Sequence, residues 1–389
     1  MNYKSLSRLP LLSMKIFGGL ALLMGCIGCS AAKPEKTVEA VFFPAPPNPP
    51  KVQFLKSISN SKDVERKSTE FAIFSLAGSK KDEVVKKINK PYGVSYANGK
   101  IYVCDLQGPN IVIIDLNNHS FEYFKGNKGY GKLKKPVNLS IDKQGNMYVA
   151  DSMRKEVLVY DATGNFLKVV GTGQVAKPAD VLADEEHVYV LDLADNAIKI
   201  FAKKDDRLVG SIGKTEGSRQ GLSIPTNFAM DADGFLYVTN VGTGSVVKLD
   251  KDGHILDQFG RIGDAFGEFT RPKGIAVDGQ GRISIVDAGH QNVQIFSKNK
   301  RLLMFFGDPP IPAGGMNLPA GIALTTDNLD YFQTLAAPGF ILEQIVFVTN
   351  QMGPDKVSIY GLGHMTGMEN TAAIEEETRT SSEPAKENH

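Results

Sequence analysis

Short runs of alternating apolar and polar residues recur along this chain between turns built on glycine, aspartate and asparagine, always in the same order. Six units open on Pro91-Tyr92-Gly93-Val94, Pro136-Val137-Asn138-Leu139, Pro178-Ala179-Asp180-Val181, Pro225-Thr226-Asn227-Phe228, Pro272-Lys273-Gly274-Ile275 and Pro319-Ala320-Gly321-Ile322. Their prolines are spaced 45, 42, 47, 47 and 47 residues apart. Each unit begins with an apolar strand that ends near an aspartate, such as Gly274 to Asp278. A glycine turn and an alternating strand follow, such as Val188-Tyr189-Val190-Leu191-Asp192. A third strand such as Val157 to Tyr160 and a fourth that ends on glycine, such as Phe166 to Gly171, complete the unit. Period-2 alternation with Val, Ile, Tyr and Phe in the runs and Gly, Asp and Asn between them specifies strands and tight turns. Four short strands per repeat of this length specify a propeller blade. The expected fold is therefore all-β: a six-bladed β-propeller of four-stranded blades.

The sixth unit stops at Val357-Ser358-Ile359-Tyr360 without a fourth strand. Phe54-Leu55-Lys56-Ser57-Ile58 has the pattern of Phe166-Leu167-Lys168-Val169-Val170. Residues 52–58 are thus expected to pair with 357–360, closing the ring and covering a sheet edge that would otherwise recruit other chains.

The rest of the sequence places this domain. In the first thirty residues, Lys4, Arg8 and Lys15 precede an uncharged apolar run from Ile16 to Met24, the order of an export signal and short for a membrane span. Leu23-Met24-Gly25-Cys26 resembles the lipobox of bacterial lipoproteins. That resemblance implies cleavage before Cys26 and its acylation, with Cys29 as the alternative site, and an outer-membrane location since no Asp follows either cysteine. The expected organisation is a signal peptide over 1–25, a Pro-rich tether over 26–50, the propeller over 51–363 and a polar, disordered tail over 364–389. Lys plus Arg number 44 and Asp plus Glu 43, so overall charge gives no reason to expect a nucleic-acid partner.

The repeats resemble the NHL family over residues 51–363, most closely at Gly260 to Phe269, Pro272 to Asp278 and Ile283 to Phe296, while Tyr237-Val238-Thr239-Asn240 is similar to the related YVTN propellers. The resemblance implies a structural role for the strand-end Asp105, Asp151, Asp192 and Asp287, bonding backbone NH groups of the following loop. A ring of carboxylates holding a cation is the alternative. NHL proteins that act as amidating lyases use three histidines and zinc. Here no three of the six histidines fall on one face near the axis, so neither a catalytic metal nor another cofactor is expected. NHL domains that bind RNA use arginines after the second strand, where this chain has Asn110, Glu156, Ala197, Ser245 and Asn292.

Two features remain as candidate partner-binding surfaces. Lys125, Lys128, Lys132, Lys134 and Lys135 crowd the loop between the first two blades, as a solvated loop or as an attractor of an acidic partner. Residues 328–343 interrupt the sixth unit and carry Tyr331, Phe332 and Phe340, as a plug for the rim or as a docking surface. The functional expectation is a non-enzymatic, lipid-anchored scaffold that binds a protein in the cell envelope. The resemblance adds an accessory role beside multihaem cytochromes. The alternative is an envelope hydrolase of lactonase type, or a lyase, with a metal on the propeller axis.

Overall fold

The computed structural model describes residues 40–65, 84–108, 111–213, 221–308 and 313–368. The export signal, Cys26, Cys29 and most of the polar tail lie outside the described residues. The chain is a six-bladed β-propeller. Five blades are four-stranded antiparallel meanders, and the sixth is a five-stranded sheet in which both ends of the domain meet. Strand Val52–Ile58 pairs with Val357–Met365 in the register Phe54 to Tyr360 and Ile58 to Val357, so the ring closes as the sequence pattern indicates.

The second and third strands of the blades are buried along nearly their whole length, because each blade is covered on both faces by its neighbours. Alternate residues therefore enter different cores. In the third blade, Val188 and Val190 join the cluster shared with the second blade, around Tyr148, Val159 and Val181. Tyr189 and Leu191 join the cluster shared with the fourth, around Phe228, Val238 and Val247. Fully burying one such side chain stabilises the fold by about 1.5–3 kcal/mol.

Three expectations need correction. The tether is not free up to residue 50: Phe42–Phe43 forms a fifth strand on the outer edge of the sixth blade, and Phe43 packs against Phe306 and Tyr360. The tail does not begin at 364, since the third strand of that blade runs to Met365 against Phe340. Residues 340–343 belong to the second strand, Phe340–Asn350, and only a short helix, Leu329–Gln333, is inserted before it. Phe332 and Phe340 are fully buried, with Phe332 against Phe347 and Phe340 against Phe42. They plug the rim and offer no surface to a partner. Tyr331 lies half-buried edge-on to Phe332.

Candidate functional site on the propeller axis

The six innermost strands are those that begin at the repeated prolines, and each contacts its two neighbours around the axis. In every blade the pairing register slips just after the proline. Such a bulge frees the next one or two residues from the ladder and re-aims their side chains. Two rings of residues result, one directly after the proline and one a residue deeper.

The deeper ring has two unlike arcs. Gly93, Gly274 and Gly321 form one. A Cβ at Gly93 would lie 2.1 Å from Asn138 Oδ1, and one at Gly321 would lie 2.3 Å from the Tyr92 carbonyl oxygen, so the close approach of these strands excludes any side chain. Asn138, Asp180 and Asn227 form the other arc, all buried. Asp180 accepts hydrogen bonds from Asn138 Nδ2 (2.7 Å), Asn227 Nδ2 (3.3 Å), Val181 N (2.8 Å) and Phe228 N (3.1 Å), which ties three blades together. Burial pushes its pKa up to about 7, outweighing four donors that all favour the carboxylate.

The ring above holds Tyr92, Val137, Ala179, Thr226, Lys273 and Ala320. Lys273 is only 5% exposed, and its ammonium sits 5.1 Å from the centre of the Tyr92 ring. Among the described residues no acceptor bonds to it. Burial, reinforced by the positive charges of Arg271 and Lys90, lowers its pKa to about 8. The Tyr92 hydroxyl is pushed up by burial and by Asp180, with Arg271 acting the other way. Asp180 is the only acidic residue of the six innermost strands and Lys273 the only basic one. At the lip, directly before the prolines, stand Lys90, Lys135, Lys177 and Arg271, with Ile224 and Leu318 in the other two blades. One mouth of the propeller is therefore cationic.

The lysine loop lies on the same face. Lys125, Lys128, Lys132, Lys134 and Lys135 are all exposed, and none of their ammonium groups makes an ion pair among the described residues. The loop itself is fixed. Asp151 accepts from the backbone NH of Lys134 and Lys135, Arg154 Nη1 donates to the carbonyls of Tyr130 and Lys132, and the Tyr160 hydroxyl donates to the Gly131 carbonyl. Asp105, Asp192 and Asp287 act as Asp151 does. Each is buried and accepts backbone NH groups from two segments: the one entering its own blade (Asn89 and Lys90, Ala176 and Lys177, Thr270 and Arg271) and the turn after its strand. Asn240 and Asn350 use the amide oxygen likewise, accepting from Ser223 N and Asn317 N.

His290, also on this face, is held by both ring nitrogens. Nδ1 lies 3.0 Å from Asp287 Oδ2, while Nε2 lies 3.0 Å from Thr270 Oγ1 and 3.2 Å from Asp264 Oδ1. Among the described residues, one trio of metal-ligating side chains comes together: Asp250, Asp252 and His254 at an exposed turn. Turn chemistry accounts for it. Asp250 accepts from Asp252 N and His254 N, as Asp142, Asp161, Asp231 and Asp278 do in equivalent turns. Cys104 is a buried free thiol whose pKa burial raises.

No protein-family model matches the chain. Among solved structures, a gluconolactonase from Xanthomonas campestris superposes on 79% of this chain and 98% of its own, at 15% identity and a TM-score of 0.52. A protein of unknown function from Bacteroides thetaiotaomicron covers 71% of this chain and 70% of its own, at 18% identity and a TM-score of 0.50. A streptogramin B lyase covers 70% and 83%, at 14% identity and a TM-score of 0.49. What is shared at these identities is the propeller.

Sequence comparison of the repeats at their strand-end aspartates does not reach the axis residues. Aligning the positions on either side of the six prolines would have shown both the cationic lip and the single Asp180 and Lys273.

Proposed function

We propose that this chain is a non-enzymatic binding propeller of the NHL-repeat type, held in the cell envelope by lipid on Cys26, that docks an acidic protein through its cationic face. The observation that carries this reading is the lysine loop. Five exposed ammonium groups without ion-pair partners among the described residues stand on a backbone pinned by Asp151, Arg154 and Tyr160. A pre-ordered loop with unsatisfied charge loses little entropy on binding and speeds encounter with an oppositely charged surface. Partners among envelope assemblies, multihaem cytochromes included, fit through acidic surfaces. The test is capture of partners from envelope membranes by the full-length protein, with binding then measured at rising salt for wild type and for Lys125→Glu/Lys128→Glu/Lys132→Glu. Affinity that falls steeply with salt and is lost in the triple variant supports the reading, and salt-independent binding by both proteins rejects it. Mass spectrometry of the mature N-terminus tests the anchor: an unmodified peptide spanning Gly25 and Cys26 would remove it.

A second reading, a hydrolase, has one observation in its favour. Thr270, His290 and Asp287 are in the order hydroxyl, imidazole, carboxylate with two 3.0 Å contacts. For His290 to take the threonine proton, Nε2 must be free of Asp264. Hydrolysis of lactone or ester substrates that disappears in Thr270→Val and in His290→Ala would establish it. The version with a metal on the axis is disfavoured by the donor set, because Asp180, the only acidic residue of the innermost strands, is engaged by four hydrogen-bond donors.

A further inference from the structure

We propose that the propeller axis is a binding site for a small oxyanion, a carboxylate or phosphate group seated on the Lys273 ammonium beneath Arg271 and Lys90. This site goes beyond the docking face of the proposed function and uses different residues. Burial of the Lys273 ammonium is costly. An ammonium taken out of water is destabilising unless an anion or several acceptors replace the lost hydration. The same protein shows how a buried lysine is otherwise treated. Lys199, 8% exposed, meets Asp192 at 2.8 Å and Asp195 at 2.6 Å and donates to the Gln174 carbonyl. Lys203 meets Asp142 at 2.9 Å. Lys273 is the more buried of the three and has only an aromatic face beside it.

Nor can the lone carboxylate of the axis serve it. Asp180 has four donors of its own, and no hydrogen bond joins it to Lys273. The charges near the ammonium make matters worse, since Arg271 and Lys90 are both positive. Three cations converging on one end of the axis, with no local anion among the described residues, constitute a site in which an oxyanion removes repulsion as well as gaining hydrogen bonds. Arg271 adds a planar fork suited to two oxygens of one group. Thr226, next to Lys273 in the ring, already donates its hydroxyl proton to the Pro272 carbonyl, which leaves the oxyanion to the cations. The pairing also predicts a pH dependence. The site needs charged Lys273, so affinity is greatest below about pH 8 and declines above it.

The experiment is calorimetric and thermal titration of the full-length protein with inorganic phosphate and, separately, with acetate, each against chloride at matched ionic strength. The expected result is saturable binding of at least one of them near pH 7, weakened about tenfold or more in Arg271→Ala and in Lys273→Met. Arg271 is exposed and its side chain makes no hydrogen bond or ion pair among the described residues, so that variant keeps the question answerable if Lys273→Met fails to fold. Phosphate binding alone assigns a phosphate ligand, and acetate binding alone a carboxylate. The proposal is overturned if neither anion binds beyond chloride, or if Arg271→Ala binds as wild type does. The triple glutamate variant of the lysine loop should retain the anion within about threefold, so loss of protein docking and loss of the axial site read out separately.

Discussion

Two regions on opposite faces of this propeller, an acidic cleft and the lysine loop, treat their charges in opposite ways. On the face of the strand-one to strand-two turns, a cleft of about 970 Å³ is lined by Asp142, Asp184, Glu185, Glu186, Asp231 and Asp233 among others. Three of these acids repeat one device. Asp142, Asp184 and Asp231 accept the hydroxyl of Tyr148, Tyr189 and Tyr237, and each meets a lysine, Lys203, Lys251 and Lys248. The same lysines lie over the tyrosine rings, at 5.1 Å, 5.8 Å and 4.9 Å. On the other face, the lysines of residues 125–135 and of the lip have no such partners among the described residues. A near-zero net charge thus conceals an acidic cleft whose main acids are neutralised locally and a lysine loop whose charges are left open among the described residues. Charge density alone does not locate a binding surface. The pairing state of the charges does.

The largest effect should come from destroying the distinction between faces altogether. Deleting residues 51–58 removes the strand that closes the sixth blade, leaving an open edge against Val357–Met365. Soluble oligomers or aggregate are expected by light scattering, and a monomer with an unchanged melting temperature would refute the closure. Next, Asp151→Ala leaves the NH groups of Lys134, Lys135, Met153 and Arg154 without their acceptor. A loss of about 3–5 kcal/mol in urea unfolding is expected, with faster amide exchange in the lysine loop. Unaltered exchange there would show that the loop is not held from below.

The axis between the faces adds a pH term. Asp180 has its pKa raised to about 7 in the folded protein, so between about pH 4 and pH 7 the folded state holds a proton that the unfolded state has lost. Stability from this group is therefore present at low pH and declines as pH rises through that window, by roughly 4 kcal/mol at most. Unfolding curves at pH 5 and pH 7.5, compared between wild type and Asp180→Asn, should show the decline in wild type only. Asp184, on the acidic face, behaves oppositely. Donors from Lys251, Tyr189 and the His187 and Glu186 backbone outweigh burial and hold its pKa at about 2. Asp184→Ala is expected to cost about 1–3 kcal/mol at pH 7, an effect that shrinks as pH falls through 4 toward 2. The smallest change in stability, within about 0.5 kcal/mol, is expected for Lys125→Glu/Lys128→Glu/Lys132→Glu, whose effect should fall on binding instead.

Strand order, blade number and ring closure were legible because each blade repeats one hydrophobic pattern, and a pattern read six times corrects its own irregularities. Phe42 and Phe43 were not legible. A two-residue strand has no period, and Pro44, Pro46 and Pro47 beside it signal a linker. The helix at Leu329 and the buried Phe332 and Phe340 were ambiguous, since apolar residues in an insertion read equally as plug and as contact surface. The axial residues were hidden for a different reason. A bulge after each proline breaks the alternation that tells inward from outward, so Lys273 and Asp180 could be placed on a strand but not aimed. Comparison across blades at a fixed position carries that information, where comparison along one strand does not.

The outer strand at Phe42 and Phe43 has a mechanical consequence. Tension applied through the segment before Ala40 arrives first at this two-residue pairing, at the very edge of the sixth blade. Short antiparallel pairs pulled from one end open one rung at a time, like a zip. Val52–Ile58 lies one layer further in, with six of its seven residues paired, and is backed by Tyr360. Under such tension Phe42 and Phe43 would yield first, releasing several residues of chain while the ring behind them stays shut.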